Sequence, residues 1–173
     1  MKSYLNKMRG NGRSPQGVGL IELWWSWVGS FLGIASCAFL TFHYEAPLLI
    51  GSFGASAVLL YAAIDSPLAQ PRNLVGGHVV SAVVGVTCYQ WLGMNWLSAS
   101  LAVSLAIAAM LITRTLHPPG GATALIAVIT PSLYPLKYFY VVTPVGVGAL
   151  IMLLVALISN NLAQKRKYPR YWL

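Results

Sequence analysis

The chain has 173 residues, 57% of them hydrophobic and 8% charged, with a formal net charge of +8. So few polar side chains cannot cover a water-facing surface, which excludes a soluble globular domain and leaves an integral membrane protein with short loops. The basic residues gather toward the two ends instead of forming an aromatic-interleaved face, which argues for a topology signal and against a nucleic-acid partner.

Taken in order, residues 1–22 read as a basic, retained cytoplasmic tail, because a polar run precedes the first apolar stretch and no small-residue cleavage site follows. Residues 23–161 form the membrane domain and residues 162–173 a second basic cytoplasmic tail. Apolar runs at about 24–42, 47–64, 76–93, 95–112, 118–132 and 139–160 predict six membrane segments. Four reach the ~20-residue length of a spanning helix, and the second and fifth are irregular. Trp24, Trp25, Trp27, Trp91, Trp96, Tyr134, Tyr138 and Tyr140 are placed for interfacial belts. Six crossings with the N-terminus inside put Lys2, Lys7, Arg9, Arg13, Arg72, Arg114, Lys165, Arg166, Lys167 and Arg170 on one side and leave Lys137 on the other. Five crossings would strand the basic C-terminus outside. Cys37 and Cys88 sit in apolar stretches and read as small buried hydrophobes, with no disulfide or metal pattern.

The stretch Leu116-His117-Pro118-Pro119-Gly120-Gly121-Ala122-Thr123-Ala124 is costly in an apolar span, since proline removes a backbone donor and glycine weakens a helix. Such backbone survives at membrane depth only where protein or a water-filled cavity satisfies it. Its Gly121-Ala122-Thr123-Ala124 echoes Gly54-Ala55-Ser56-Ala57 of the second segment, 67 residues earlier. Each tetrapeptide lies in the middle member of a three-segment half. An odd number of segments per half turns the halves opposite ways, giving an all-α fold of six segments as a 3+3 inverted repeat with two broken helices. The bland alternative is a pair of small-residue packing seams.

If the second segment is helical from Phe53 and the fifth from Pro119, each helical part is about 12 residues, or ~18 Å, half of the hydrocarbon core. Both N-termini then meet near the midplane. Pro119 suits a first helical position, and the N–H groups of Gly120, Gly121 and Ala122 are expected to lack intrahelical partners, as are those of Gly54, Ala55 and Ser56. With the hydroxyls of Ser52, Ser56 and Thr123 they form a candidate site for a small monovalent anion, without a cofactor or a metal. Glu22, Glu45 and Asp65 fall at span ends, which disfavours a cation carrier. His117 is a candidate ligand contact, and His78 with His117 a candidate proton relay. His43 is expected at the surface. Arg72, Asn73 and Arg114 are candidates for a cytoplasmic vestibule, or ordinary inside-facing charges.

These residues resemble a known family. His117-Pro118-Pro119-Gly120-Gly121-Ala122-Thr123-Ala124, Phe53-Gly54-Ala55-Ser56-Ala57, Ser66-Pro67-Leu68-Ala69-Gln70-Pro71-Arg72-Asn73 and Gly76-Gly77-His78 look like the integral-membrane HPP family, over about residues 24–160. That resemblance implies nitrite as the anion, because plant and cyanobacterial members are associated with nitrite transport. Lacking a long N-terminal extension, the chain is expected in a bacterial inner membrane.

The leading expectation is therefore a non-enzymatic anion transporter in the lipid bilayer, with apolar surface to spare for a homodimer. A channel using the same site, a non-transporting accessory subunit, and an intramembrane Ser–His hydrolase built from Ser52, Ser56, His78 and His117 are the alternatives.

Overall fold

Among the described residues of the computed structural model, 2–9, 12–130 and 137–173, every regular element is helical. A short helix α1 (Lys2–Lys7) precedes α2 (Leu20–Tyr44), α3 (Ser52–Ala62), α4 (Pro71–Leu92), α5 (Trp96–Ile112), α6 (Pro119–Ile129) and α7 (Val147–Leu162). A π-helical stretch, Val141–Gly146, runs directly into α7 and is kinked at Thr143, just before Pro144. Tyr134 lies outside the described residues.

Among the described residues, three helices are long and apolar enough to cross a membrane: Leu20–Tyr44, Pro71–Leu92 and Val141–Leu162. The sequence expectation of four full-length spans is corrected at α5. Its 17 residues span about 26 Å, at the lower limit for a crossing helix. The cause is local: Gly93 leaves the helical region at φ 71°, and Asn95 caps α5 by accepting from the Ser98 N–H, so the turn consumes part of the apolar run.

The two irregular segments are short helices of 11 residues, each entered through non-helical chain. Proline accounts for α6. Pro119 occupies its first turn, where no N–H is needed, and residues 115–117 before the Pro118-Pro119 pair are non-helical. At the far end of α3 the orphan carbonyls are satisfied by side chains: Asn160 donates to Leu60 O and Arg166 to Tyr61 O.

Packing exchanges partners between the chain's halves. Helix α4 lies against α5 and α6, while α7 lies against α2 and α3, and α3 touches α6. The main core joins Phe53, Leu60, Tyr61, Leu74, Met152 and their neighbours.

The C-terminal residues fold back onto the bundle. Arg166, with a side chain 2% exposed, pairs with Glu22 in the first turn of α2 and donates to Ser26 Oγ and to Asn160 Oδ1. Tyr168 donates to Ala69 O at 2.7 Å, and Arg170 pairs with Asp65. Burial pushes the Tyr168 hydroxyl above its ordinary range. The Glu22–Arg166 pair places the start of α2 and the end of α7 at one end of the bundle. Trp24, Trp27, Trp91 and Trp96 are exposed, as belts demand, but Tyr140 is a correction: it is 1% exposed and its hydroxyl donates to Thr123 O. Cys37 and Cys88 are buried and free.

Candidate functional site

The first turns of α3 and α6 meet side by side. Thr123 Oγ1 donates to Ser52 Oγ at 2.9 Å, although 71 residues separate them. Around this contact the helices bring in two imidazoles. Ser56, one turn into α3, places its Oγ 2.7 Å from His78 Nε2 and 2.9 Å from His117 Nε2. His78, on α4, turns its other nitrogen to Thr123 Oγ1 at 2.7 Å, and His117 turns its Nδ1 to Leu68 O at 2.8 Å. Ser52, Ser56, His78, His117 and Thr123 are each at most 1% exposed. The edge of Phe53 packs on His78 at 5.3 Å between ring centroids, and the two imidazoles lie 4.9 Å apart.

Ser56 and Thr123 are the matching hydroxyls of the two echoed tetrapeptides, and both bind the same histidine from opposite edges. Gly77 makes the approach of His117 feasible. A Cβ there would stand 2.5 Å from His117 Cβ and 2.7 Å from Thr115 O, so only glycine lets the chain before α6 lie across α4.

Other expected contributors sit differently. The N–H groups of Gly120 and Gly121 are not free, because they close turns on His117 O and Pro118 O at 2.8 and 3.0 Å. Likewise Gly54 N–H donates to Gly51 O at 3.2 Å. Helix starts with preceding residues in the helical region satisfy their own donors in this way, so hydroxyls and imidazoles, more than amides, line the centre. Gly120 has no room for a Cβ, meeting Ser81 Oγ at 2.6 Å, so its role is close helix packing. Gly54 and Gly121 instead line lateral apolar crevices, the first between α2 and α3 and the second between α5 and α6. Ala55 is exposed and Ala122 is exposed, whereas Pro119 is buried.

The vestibule residues belong to the end of the bundle. Arg72 donates to Thr113 O, Asn73 to Leu116 O, and Arg114 is exposed with φ 57°. Asn73 thus holds the chain next to His117. His43 is exposed and stacked on Phe39, as a surface residue should be. Leu68 and Arg166 are additions that sequence reasoning missed. A backbone carbonyl reaching a histidine 49 residues away has no local signal, and Arg166 looks like any tail charge until its partners are seen. No group of three or more His, Cys, Asp or Glu fit to hold a metal occurs among the described residues.

Residues 15–169 match the family model described as HPP, transmembrane region. Two proteins of Dictyostelium discoideum, each named only as a transmembrane protein, are similar to the chain: one is 49% identical and the other 45%, both over 98% of the chain. The matches cover 57% and 63% of those proteins, so the chain spans less than two thirds of the length of these relatives. No solved structure matches. The match over nearly the whole chain, and the two close relatives, settle the family: the chain belongs to the HPP transmembrane family.

Proposed function

We propose that this membrane protein is a carrier for a small monovalent anion, with nitrite as the substrate suggested by the family resemblance. The observation that carries the reading is the junction of two half-helices at a buried, acid-free cluster of hydroxyls and imidazoles. Helix N-termini favour negative charge, and the hydroxyls of Ser52, Ser56 and Thr123 are rotatable donors that an anion can recruit by replacing their mutual bonds. Neither imidazole is hydrogen-bonded to a carboxylate, lysine or arginine among the described residues. An anion entering the cluster therefore meets donors and no competing acid.

The partner exchange of α4 and α7, the equivalent crevices beside Gly54 and Gly121, and the paired hydroxyls on His78 support a 3+3 inverted repeat about this centre. Gathered basic residues at one end support a cytoplasmic placement of both termini. The test is uptake of nitrite, nitrate, formate and chloride by proteoliposomes carrying only this protein, with and without a pH gradient. Saturable, protein-dependent nitrite uptake is expected; absence of flux for all four anions overturns the proposal.

A second reading draws on one specific contact. Ser56 Oγ lies 2.7 Å from His78 Nε2, the geometry of a serine nucleophile and its base. Against it, the same oxygen is shared with His117, no acid among the described residues orients either ring, and the amides of Gly120 and Gly121 are spent on turns. Labelling of Ser56 by a fluorophosphonate would favour the hydrolase.

A further inference from the structure

Counting hydrogens along the cluster gives it two charge states. The Leu68 carbonyl only accepts, so His117 Nδ1 carries a hydrogen. When Thr123 turns its hydroxyl hydrogen to Ser52 Oγ, it accepts from His78, whose Nδ1 then also carries one. Both rings then direct Nε2 at Ser56 Oγ, from 2.7 and 2.9 Å. Ser56 has a single hydrogen. Turned to one of these nitrogens instead of to Ser52 O, which lies 3.3 Å away, it satisfies that nitrogen, and the other makes a bond of that length only by donating a hydrogen of its own. With the Thr123 hydroxyl turned that way, the cluster holds one proton more than two neutral imidazoles. Turning the Thr123 hydroxyl toward His78 removes the surplus and gives a neutral chain running Thr123, His78, Ser56, His117, Leu68. The two charge states differ by one hydroxyl rotation and one proton.

Among the described residues, the groups facing the rings supply no counter-charge. They are Ser52, Ser56 and Phe53 from α3, Thr123 from α6 and the Leu68 carbonyl, with Tyr140 reaching only Thr123 O. Glu22, Asp65, Arg166 and Arg170 pair with one another at the end of the bundle. An isolated buried cation is costly, an isolated buried anion equally so, and each offsets the other.

We propose that the cluster binds one proton together with each anion, the imidazole pair bridged by Ser56 holding the proton as counter-charge, so that transport is electroneutral anion–proton symport. The proton forms an N–H bond at Nε2 of His78 or His117 on loading, crosses between them through the Ser56 hydroxyl, and leaves with the anion. No redox partner is involved. This inference rests on the anion-carrier reading and adds a stoichiometry to it. Linkage requires that protonation raise anion affinity by the factor by which the anion raises proton affinity. With one proton per anion, the nitrite Kd falls tenfold for each unit of pH decrease while the empty site is neutral.

The experiment is nitrite titration of the purified, detergent-solubilised protein at pH 6, 7 and 8, with proton uptake read by an indicator dye in weakly buffered solution. Wild type is expected to take up one proton per bound nitrite and to show the tenfold-per-unit dependence. The His78→Gln/His117→Gln double variant is expected to lose both. Saturable binding with no proton uptake, or a slope retained in the double variant, overturns the symport proposal and leaves the anion site standing. No saturable binding by folded wild type overturns both. In proteoliposomes, a nitrite flux that carries current also refutes the symport alone.

Discussion

Replacing Gly77 by alanine tests whether the extended chain before α6 sets the geometry of the cluster. The added Cβ would lie 2.5 Å from His117 Cβ and 2.7 Å from the Thr115 carbonyl, and the second of these is backbone that no rotamer change moves. Restoring an ordinary 3.4 Å contact takes a displacement of roughly 0.9 Å at His117. Directed along the 2.9 Å bond from His117 to Ser56, that shift opens it to about 3.8 Å, beyond hydrogen-bond range. Overpacking of this kind costs about 1–3 kcal/mol. Gly77→Ala is therefore expected to lower the thermal midpoint of the purified protein and to remove most nitrite uptake in proteoliposomes. Gly54→Ala is the matched control. Its Cβ would meet nothing within 4 Å, and alanine suits a helix interior better by roughly 0.5–1 kcal/mol. That variant is expected to keep or raise the midpoint. A Gly77→Ala protein with wild-type midpoint and uptake would refute the packing argument.

Arg166→Ala removes hydrogen bonds to Tyr61 O, Glu22 O, Ser26 Oγ and Asn160 Oδ1 together with the Glu22 ion pair, and is expected to cost about 3 kcal/mol or more, read by denaturant unfolding. Arg166→Lys keeps the charge without the planar fork and is expected to recover only part of that loss. Tyr168→Phe deletes a single buried bond to Ala69 O and is expected to cost about 1 kcal/mol by the same measurement. His117→Gln is expected to flatten the pH dependence of nitrite uptake.

The break in the fifth segment was legible because it is written in local chemistry: consecutive prolines and glycines admit few backbone solutions in an apolar chain, and the second segment was read by its likeness to the fifth. The start of α6 at Pro119 follows from that, and the Gly-Ala-hydroxyl-Ala echo pointed to Ser56 and Thr123 as partners. What the echo could not supply was the third dimension. That Ser56 bridges two imidazoles depends on Gly77 admitting His117, and that Leu68 fixes His117 depends on a loop returning from α3. The free amides expected at Gly54, Gly120 and Gly121 failed for a local reason too fine for pattern reading, since Gly51 and Pro118 adopt helical dihedrals and let turns absorb the donors. Tyr140 was misplaced because a tyrosine at a segment end looks interfacial until the chain beside it covers it.

Calorimetric titration of nitrite into the detergent-solubilised protein, wild type against a Ser52→Ala/Thr123→Val double variant, reaches the central claim most directly. Wild type is expected to bind one nitrite per chain with saturation, and the variant, which lacks the two hydroxyls where α3 and α6 meet, to lose that binding while remaining folded by circular dichroism. Equal binding by both proteins would contradict the placement of the anion between the two half-helices.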